Sequence, residues 1–513
     1  MAASLPIPLV STLDEVHNDI SVASKTSSRW DLLVSEFERF FDKKPDFIAR
    51  APGRVNLIGE HIDYALFGVF PAAIERDILI ACAPRENDFS GRIVIDNMES
   101  KYERQSFTPV IDPSGNWFLE IDKTQLRWES YVKAGYYGVL EHFFRDKLTK
   151  PVGCDMLVTG SVPAGSGLSS SAAMVVASTL AFLCANNRLD QVTKGSLVEI
   201  AMENERRVVE GKMDQAASVI SNAQSALYIT FHPRLSAEPI PLPITTPKAV
   251  FVCANSLVVA DKVVSSKFRY NLRVVETLVA ARVLGRHLNI SISKSEKITL
   301  KQVLGRFLGS SDDDEIGPED LLKGLELIIP KVDCLRKGDP DVGYTLEEMV
   351  EASGLSQEEF HELYLSWVDV EATHFQLYKR ALHVFTEALR VLQFREVCTR
   401  AEASLKTLEE LGRLMNESQA SCAELFQCSC PELDGLTQLA RDAGAYGSRL
   451  TGAGWGGCSV SLVSEDRVEE FIRKVGQTYR PYHGFTPEKL HEVIFATKPS
   501  SGASAHYLHR VSL

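Results

Sequence analysis

The sequence predicts an α+β chain built as two large domains. Three observations carry this expectation. The 513 residues are enough for two large domains or three smaller ones. Strand-like and helical apolar patterns alternate through the first half, whereas helical periodicity dominates the second. Between them stand Pro239, Pro241, Pro243 and Pro247, and prolines stiffen linkers and interrupt regular elements. The main boundary is therefore placed near 240–248, which divides the chain into 1–245 and 246–513.

The elements follow in order. Residues 1–45 hold a leader and then a helix at 30–41. Short strands are expected at 47–52, 78–83 and 93–97, and helices at 128–146, 170–186 and 193–208. The helix at 170–186 is almost wholly small or apolar, so it belongs in a core, and it is too short and interrupted to span a membrane. A strand at 227–231 closes the first half. The second half begins with a strand at 249–254. It continues with helices at 268–286, 319–329, 344–353, 357–363, 370–390 and 400–418, and a strand at 459–463. The acidic run 310–315 is expected to be a solvated loop.

Composition narrows the classes. Apolar residues make up 45% and charged residues 24%, as in a folded soluble protein. The net charge of -13 argues against nonspecific nucleic-acid or membrane partners, while leaving room for a local basic pocket. Met1 to Pro6 contains no charged segment leading into a long apolar one, so no secretion signal is expected. Ten scattered cysteines, several in apolar runs such as Cys184 and Cys253, fit a reducing cytoplasmic compartment. Cys422, Cys428 and Cys430 lack a second matching pair and read as ordinary thiols rather than a zinc site.

Four segments carry chemistry. The first, 162–173, is a glycine loop running into the apolar helix with Ser169, Ser170 and Ser171 at the junction. Glycines let several amides point one way, and a helix start offers free N–H groups to a polyanion such as a nucleotide's phosphates. No lysine precedes the serines, so this is not the GxxxxGK[ST] loop, and a plain capped turn is the alternative. The second, 50–64, brings Glu60, His61 and Asp63 together, a set suited to several vicinal hydroxyls. A capped turn with an ordinary salt link remains equally open, and zinc is disfavoured because no second histidine is near. The third, 210–218, delivers Asp214 to a helix start. Alone it favours a cap over a base. Glu203 and Glu205 lie just upstream, and one carboxylate, a serine hydroxyl and nucleotide phosphates would suffice for magnesium. The fourth, 450–460, has four glycines in the six positions 452–457 ahead of a strand. It reads as a backbone lid on a site, or as a tight bend.

These four segments in this order resemble the sugar and small-metabolite kinases that use a glycine-serine phosphate loop, the GHMP kinases, and within them the galactokinases, fungal members above all. Residues 53–64 resemble the N-terminal family signature, 165–173 the nucleotide loop, Met213-Asp214-Gln215 the segment with the catalytic aspartate, and 452–457 the third motif. Residues 213–219, 270–276 and 414–422 carry the fungal likeness. The resemblance covers roughly 45–500. It implies a two-domain fold, an N-terminal domain resembling ribosomal protein S5 domain 2 beside a C-terminal α/β domain, with the active site in the cleft between them. It implies ATP and Mg2+ as cofactors and galactose as acceptor, giving galactose 1-phosphate and ADP. Asp214 would be the catalytic aspartate and Arg54 its partner. Arg54, Glu60, His61, Asp63, Gly211, Asp214 and Tyr270 would hold the sugar. Gly165, Ser166, Gly167, Leu168, Ser169, Ser170 and Ser171 would hold the nucleotide, and Ser171 and Glu203 the metal.

Two alternatives stand beside this expectation. N-acetylgalactosamine could replace galactose, because the Glu-His-Ile-Asp-Tyr form at 60–64 occurs in both groups. Some relatives instead sense galactose and ATP and bind a transcriptional repressor, and such sensors can carry a shortened serine-alanine stretch. Ser169 to Ala173 is complete here, which favours catalysis. Lys212 departs from the family pattern by standing where many relatives have a second glycine.

Overall fold

The computed structural model describes residues 2–508 except 18–19, 86–87, 123–124, 126, 147–148, 209–213, 260–264, 340 and 401–403, and gives backbone alone at 17 and 20–25. A seven-stranded mixed sheet organises the first half. Its order is Leu9–Val10, Ser504–Tyr507, Phe47–Ile58, Phe70–Pro84, Cys154–Gly160, Ile93–Asn97 and Gln105–Phe107. Alternation builds the layers, because successive strand side chains point to opposite faces. Ala49, Ile80 and Met156 join Val175, Tyr136 and Leu197 of the helices Ser170–Ala185, Trp128–Phe143 and Lys194–Glu205 in the main core. Ile48, Leu79, Ala81 and Leu157 face the other way, onto Trp30, Leu33 and Phe37 of the Ile20–Phe41 helix. The Ser170–Ala185 helix is buried at every position from Ala172 to Ala185, as its all-round apolar sequence predicts.

The second half is organised by a four-stranded antiparallel sheet ordered Gly447–Leu450, Cys458–Ser464, Ala249–Asn255 and Ile494–Thr497. Val250, Val252 and Ala254 pack with Leu436 and Ile472 of the Pro431–Asp442 and Val468–Thr478 helices, in a small core of their own. Phe251 and Cys253 belong to the main core, which runs without a break into the first half. The Leu377–Thr399 helix carries that continuity: Phe385 meets Phe67 edge-on at 5.8 Å and Phe394 meets Phe70 at 5.3 Å.

The proline-rich stretch is not a plain linker. Ser236–Pro241 is a strand paired antiparallel with Ser225–Thr230, with Pro239 opposite Leu227 and Pro241 opposite Ser225. The proline-bearing strand is the outer one, since Ser225–Thr230 is bridged on its other side through Ile229 to Val69. Prolines spaced by two can then both sit where a strand needs no N–H donor. The strand expected at 47–52 runs on to Ile58, because register shifts at Pro52/Arg54 and Asn56/Ile58 absorb irregularity without ending the ladder. The acidic loop is not simply solvated either, since Asp312 pairs with Arg306 at 2.6 Å.

The chain ends by returning to where the first sheet began. Arg50 is wholly buried; it donates to Asp77 Oδ2 at 2.6 Å, to the carbonyls of Ser501 and Gly502 at 3.1 and 3.2 Å, and to Ser500 Oγ at 3.2 Å. One guanidinium thus nails the returning segment to the sheet. Replacing Arg50 with leucine leaves Asp77 to Arg29 alone, at 2.6 Å, and strands three acceptors in the interior. We expect a loss of about 3–5 kcal/mol of unfolding free energy by urea titration. A loss below 1 kcal/mol would show that the return segment does not depend on it.

Candidate functional site

A cleft of about 1410 Å³ is lined by both halves, from Arg54, Asp63, Ser169 to Ser171 and Asp214 on one side to Tyr270 and Gly452 to Gly457 on the other. At its centre Arg54 donates from Nε at 2.8 Å and Nη2 at 2.7 Å to Oδ1 of Asp214. Its Nη1 donates to the Gly167 carbonyl at 2.6 Å, and its backbone N–H to the Leu168 carbonyl at 3.1 Å. Arg54 therefore ties the strand, the glycine-serine loop and the aspartate into one unit. Asp214 opens the Asp214–Ile220 helix, which is fastened to the same strand by Ser218 Oγ donating to the Pro52 carbonyl at 2.7 Å. Helix start and Arg54 partner are thus the same residue, and the carboxylate stays partly open to the cleft.

The glycine-serine loop adopts left-handed backbone at Gly165 (φ 68°), Gly167 (φ 77°) and Ser169 (φ 60°). Ser169 occupies the cap position of the Ser170–Ala185 helix, yet its side chain makes no cap bond. Its buried Oγ has no hydrogen-bond partner, whereas Ser166 Oγ donates to the Pro163 carbonyl at 2.7 Å. A buried hydroxyl without a partner costs stability unless a ligand completes it. That observation separates this loop from an ordinary capped turn. Leu168, wholly buried, anchors it from beneath.

The second glycine loop lies against the first, backbone to backbone. A Cβ on Gly452 (φ 85°) would sit 2.6 Å from the Gly167 carbonyl oxygen, and one on Gly457 (φ 79°) 2.8 Å from that of Ser166. The Cys458 N–H donates to the Ser166 carbonyl at 2.8 Å. The other edge of the loop grips the second half, with the Trp455 N–H on the Cys428 carbonyl at 2.6 Å and the Gly457 N–H on Val258 at 2.9 Å. The lid expectation therefore takes the form of close packing that glycine alone permits.

The 60–64 signature forms the adjoining wall. Glu60 Oε1 accepts the Gly452 N–H at 2.8 Å, and Oε2 accepts Asn56 Nδ2 at 2.9 Å and faces Arg449 Nη1 at 2.5 Å. Burial pushes its carboxyl up to about 7, against the pull of Arg449 and the Gly452 N–H. His61 Nε2–H donates to the Ala453 carbonyl at 2.8 Å and Nδ1 accepts from Tyr64 OH at 3.2 Å. The ring stacks on Phe426 at 4.7 Å, and burial lowers its pKa to about 3, so the imidazole is neutral at neutral pH. Asp63 and Tyr270 both line the cleft.

Most of the residues expected at a site are thus brought together: Arg54, Glu60, His61, Asp63, Asp214, Tyr270 and the 165–171 loop. Gly211 and Lys212 lie outside the described residues. Glu203 is exposed on the Lys194–Glu205 helix and does not line the cleft, while Glu205 is buried and accepts from Gln215. Among the described residues no group of three or more His, Cys, Asp or Glu could hold a metal ion. A cation here would lean on phosphates and a hydroxyl such as Ser171, in keeping with magnesium's preference for oxygen and water. The motif reading missed Arg449, His383 and Glu387, which surround the signature from behind. It also missed Tyr102 and Trp128, which line the far end of the cleft with rings 5.8 Å apart. All ten cysteines are free thiols. Among the described residues no helix is long and apolar enough to cross a membrane.

Comparison with known proteins agrees with this geometry. Three family profiles match: the galactokinase galactose-binding signature over 35–84, the GHMP kinases N terminal domain over 130–222, and the GHMP kinases C terminal over 399–481. The chain is 38% identical over 521 residues to a galactokinase of Dictyostelium discoideum, covering 96% of this chain and 97% of that protein. It is 36% identical over 511 residues to a galactokinase of Saccharomyces cerevisiae, covering 93% and 94%. In fold it is similar to the crystal structure of Lactococcus lactis galactokinase complexed with galactose, with a TM-score of 0.64 at 24% identity, covering 93% of this chain and 99% of that one. The two-loop contact yields a direct test. Gly452→Ala adds a Cβ against the Gly167 carbonyl at positive φ, so we expect more than about 1 kcal/mol of destabilisation and a fall in kcat/KM. Unchanged melting and turnover would contradict the close approach.

Proposed function

This chain belongs to the galactokinases of the GHMP kinase family, and on that premise we propose that it transfers the γ-phosphoryl group of ATP to the anomeric hydroxyl of galactose, giving galactose 1-phosphate and ADP. The observation that carries the reading is the Arg54–Asp214 pair, set between the glycine-serine loop and the signature wall. We assign the N-terminal domain to 1–245, with a fold like ribosomal protein S5 domain 2, and the C-terminal domain to 246–513, with its last strand reaching back into the first sheet. The cleft between them is the active site in this reading. The ten free thiols support a cytoplasmic setting.

The mechanism follows from position and charge. Phosphoryl transfer needs little covalent help, so catalysis rests on alignment and charge neutralisation. Amides of the 165–171 loop and the start of the Ser170–Ala185 helix receive the phosphates, and Ser169 Oγ supplies the open buried donor. Glu60, His61, Asp63, Gly211 and Tyr270 orient the sugar hydroxyls. Asp214 accepts the proton of the C1 hydroxyl as that oxygen attacks phosphorus in line. Arg54 holds the Asp214 carboxylate in place and offsets charge on the moving group. Magnesium would be held by Ser171 together with the phosphates, and it would supply charge neutralisation on the leaving diphosphate; Glu203, expected as a second ligand, lies outside the cleft lining. The Tyr102 and Trp128 rings offer apolar faces to a purine at the far end.

Steady-state kinetics test these roles. Asp214→Asn is expected to lower kcat by about 10²–10⁴, and near-normal turnover would remove Asp214 from the chemistry. Arg54→Ala should also slow turnover. An effect confined to sugar affinity would refute its transition-state role. Initial rates with ATP and magnesium should place galactose far above N-acetylgalactosamine and glucose, and an equal or better rate with N-acetylgalactosamine would overturn the choice of acceptor.

A further inference from the structure

The Leu377–Thr399 helix contributes nothing to the cleft lining, yet one face of it is pressed against the back of the signature loop. We propose that His383 and Glu387 are positioning residues which grip the backbone of Gly59 and Glu60 and thereby set the Glu60 and His61 side chains for the sugar. This rests on the reading of Glu60 and His61 as sugar contacts.

The geometry is a two-point clamp. Glu387 Oε1 accepts the Gly59 N–H at 3.0 Å, and His383 Nε2–H donates to the Glu60 carbonyl at 3.1 Å. The two residues are four apart, so they share one helix face. Val391, four further on, continues that face: a Cβ on Gly59 would lie 3.0 Å from its Cγ2. The segment needs such holding. Gly59 stands at φ 108° and His61 at φ 60°, and a non-glycine residue keeps left-handed backbone only where its surroundings over-determine it.

Both jaws are themselves fixed. Wholly buried Glu387 accepts Ser418 Oγ–H at 2.5 Å and Arg390 Nε–H at 2.9 Å, and its Oε1 lies 3.8 Å from Arg449 Nη2. Burial alone would raise its carboxyl, but Arg390, Arg449 and His383 outweigh burial and hold it at about 2. His383 Nδ1 accepts from Ser421 Oγ at 2.8 Å, and burial keeps the ring neutral, its pKa lowered to about 4. Its ring centroid lies 4.5 Å from that of Phe426, the same ring on which His61 stacks. Arg449 completes the assembly by facing Glu60 and donating to the Asn56 carbonyl at 3.2 Å and Ser418 Oγ at 3.0 Å. The loop is thus held at its backbone by one helix and at its carboxylate by one arginine.

The test is steady-state kinetics on the full chain, with thermal melting of every variant. Glu387→Met, which removes the acceptor of the Gly59 N–H, and His383→Leu should raise the galactose KM about tenfold or more, with the ATP KM and kcat within about threefold of wild type. His383→Gln, whose amide can replace the ring donor, should restore the galactose KM to within about threefold. An unchanged galactose KM in folded Glu387→Met overturns the clamp. So does a parallel rise in both KM values, or identical behaviour of the two His383 variants. Should His383→Leu fail to fold, the similarly sized Glu387→Met decides alone. Glu60→Gln and His61→Ala separate the two ideas: if they leave the galactose KM unchanged the sugar-contact reading falls, and if they raise it while Glu387→Met does not, the clamp alone falls.

Discussion

Two glycine loops from opposite halves of the chain touch through their backbones, and the rest of the site is arranged around that contact. Gly452 and Gly457 stand so close to the carbonyls of Gly167 and Ser166 that a single methyl group would not fit. The consequence is a fixed distance between the glycine-serine loop and the signature wall, since Glu60 binds the Gly452 N–H and Arg54 binds the Gly167 carbonyl. Side-chain packing could not set so short a spacing, because each side chain interposed would push the halves apart by several ångströms. A phosphoryl group moves only a short way between donor and acceptor, so a site for its transfer gains from this rigidity.

Buried charge does the complementary work. Arg54, Arg449 and Arg50 each take carboxylate and carbonyl oxygens at once, and each binds segments far apart in sequence. Guanidinium suits this because its planar fork serves several acceptors in fixed directions. Arg50 and Arg449 are sealed inside the protein and act on structure, whereas the Arg54 pair opens on the cleft. The same pairing that costs desolvation in the interior becomes chemistry where one carboxylate oxygen is left to face a ligand.

Local pattern made much of this legible in the sequence. The apolar run after Ser171 marked a buried helix, and the glycines at 452–457 marked a close backbone approach, because each depends on residue type alone. Asp214 was ambiguous by itself, and pairing with Arg54 is a long-range contact that no local pattern encodes. The proline cluster misled for a related reason. Proline forbids a donor, not a strand, and an edge position needs no donor at alternate residues. The clamp at His383 and Glu387 was present as an i, i+4 pair of polar residues in a helix with many other polar and charged positions, a signal without meaning until the fold names what lies opposite. Glu203 and Glu205 show the same limit, since two carboxylates two apart on a helix face different ways and sequence does not choose between them.

The most direct test of the whole account is a crystal structure of the chain with galactose and a non-hydrolysable ATP analogue bound together. The account places the Asp214 carboxylate within about 2.6–3.2 Å of the C1 hydroxyl oxygen, with residues 165–171 wrapped around the triphosphate. A C1 oxygen beyond the reach of Asp214, or a triphosphate seated away from the glycine-serine loop, would contradict it.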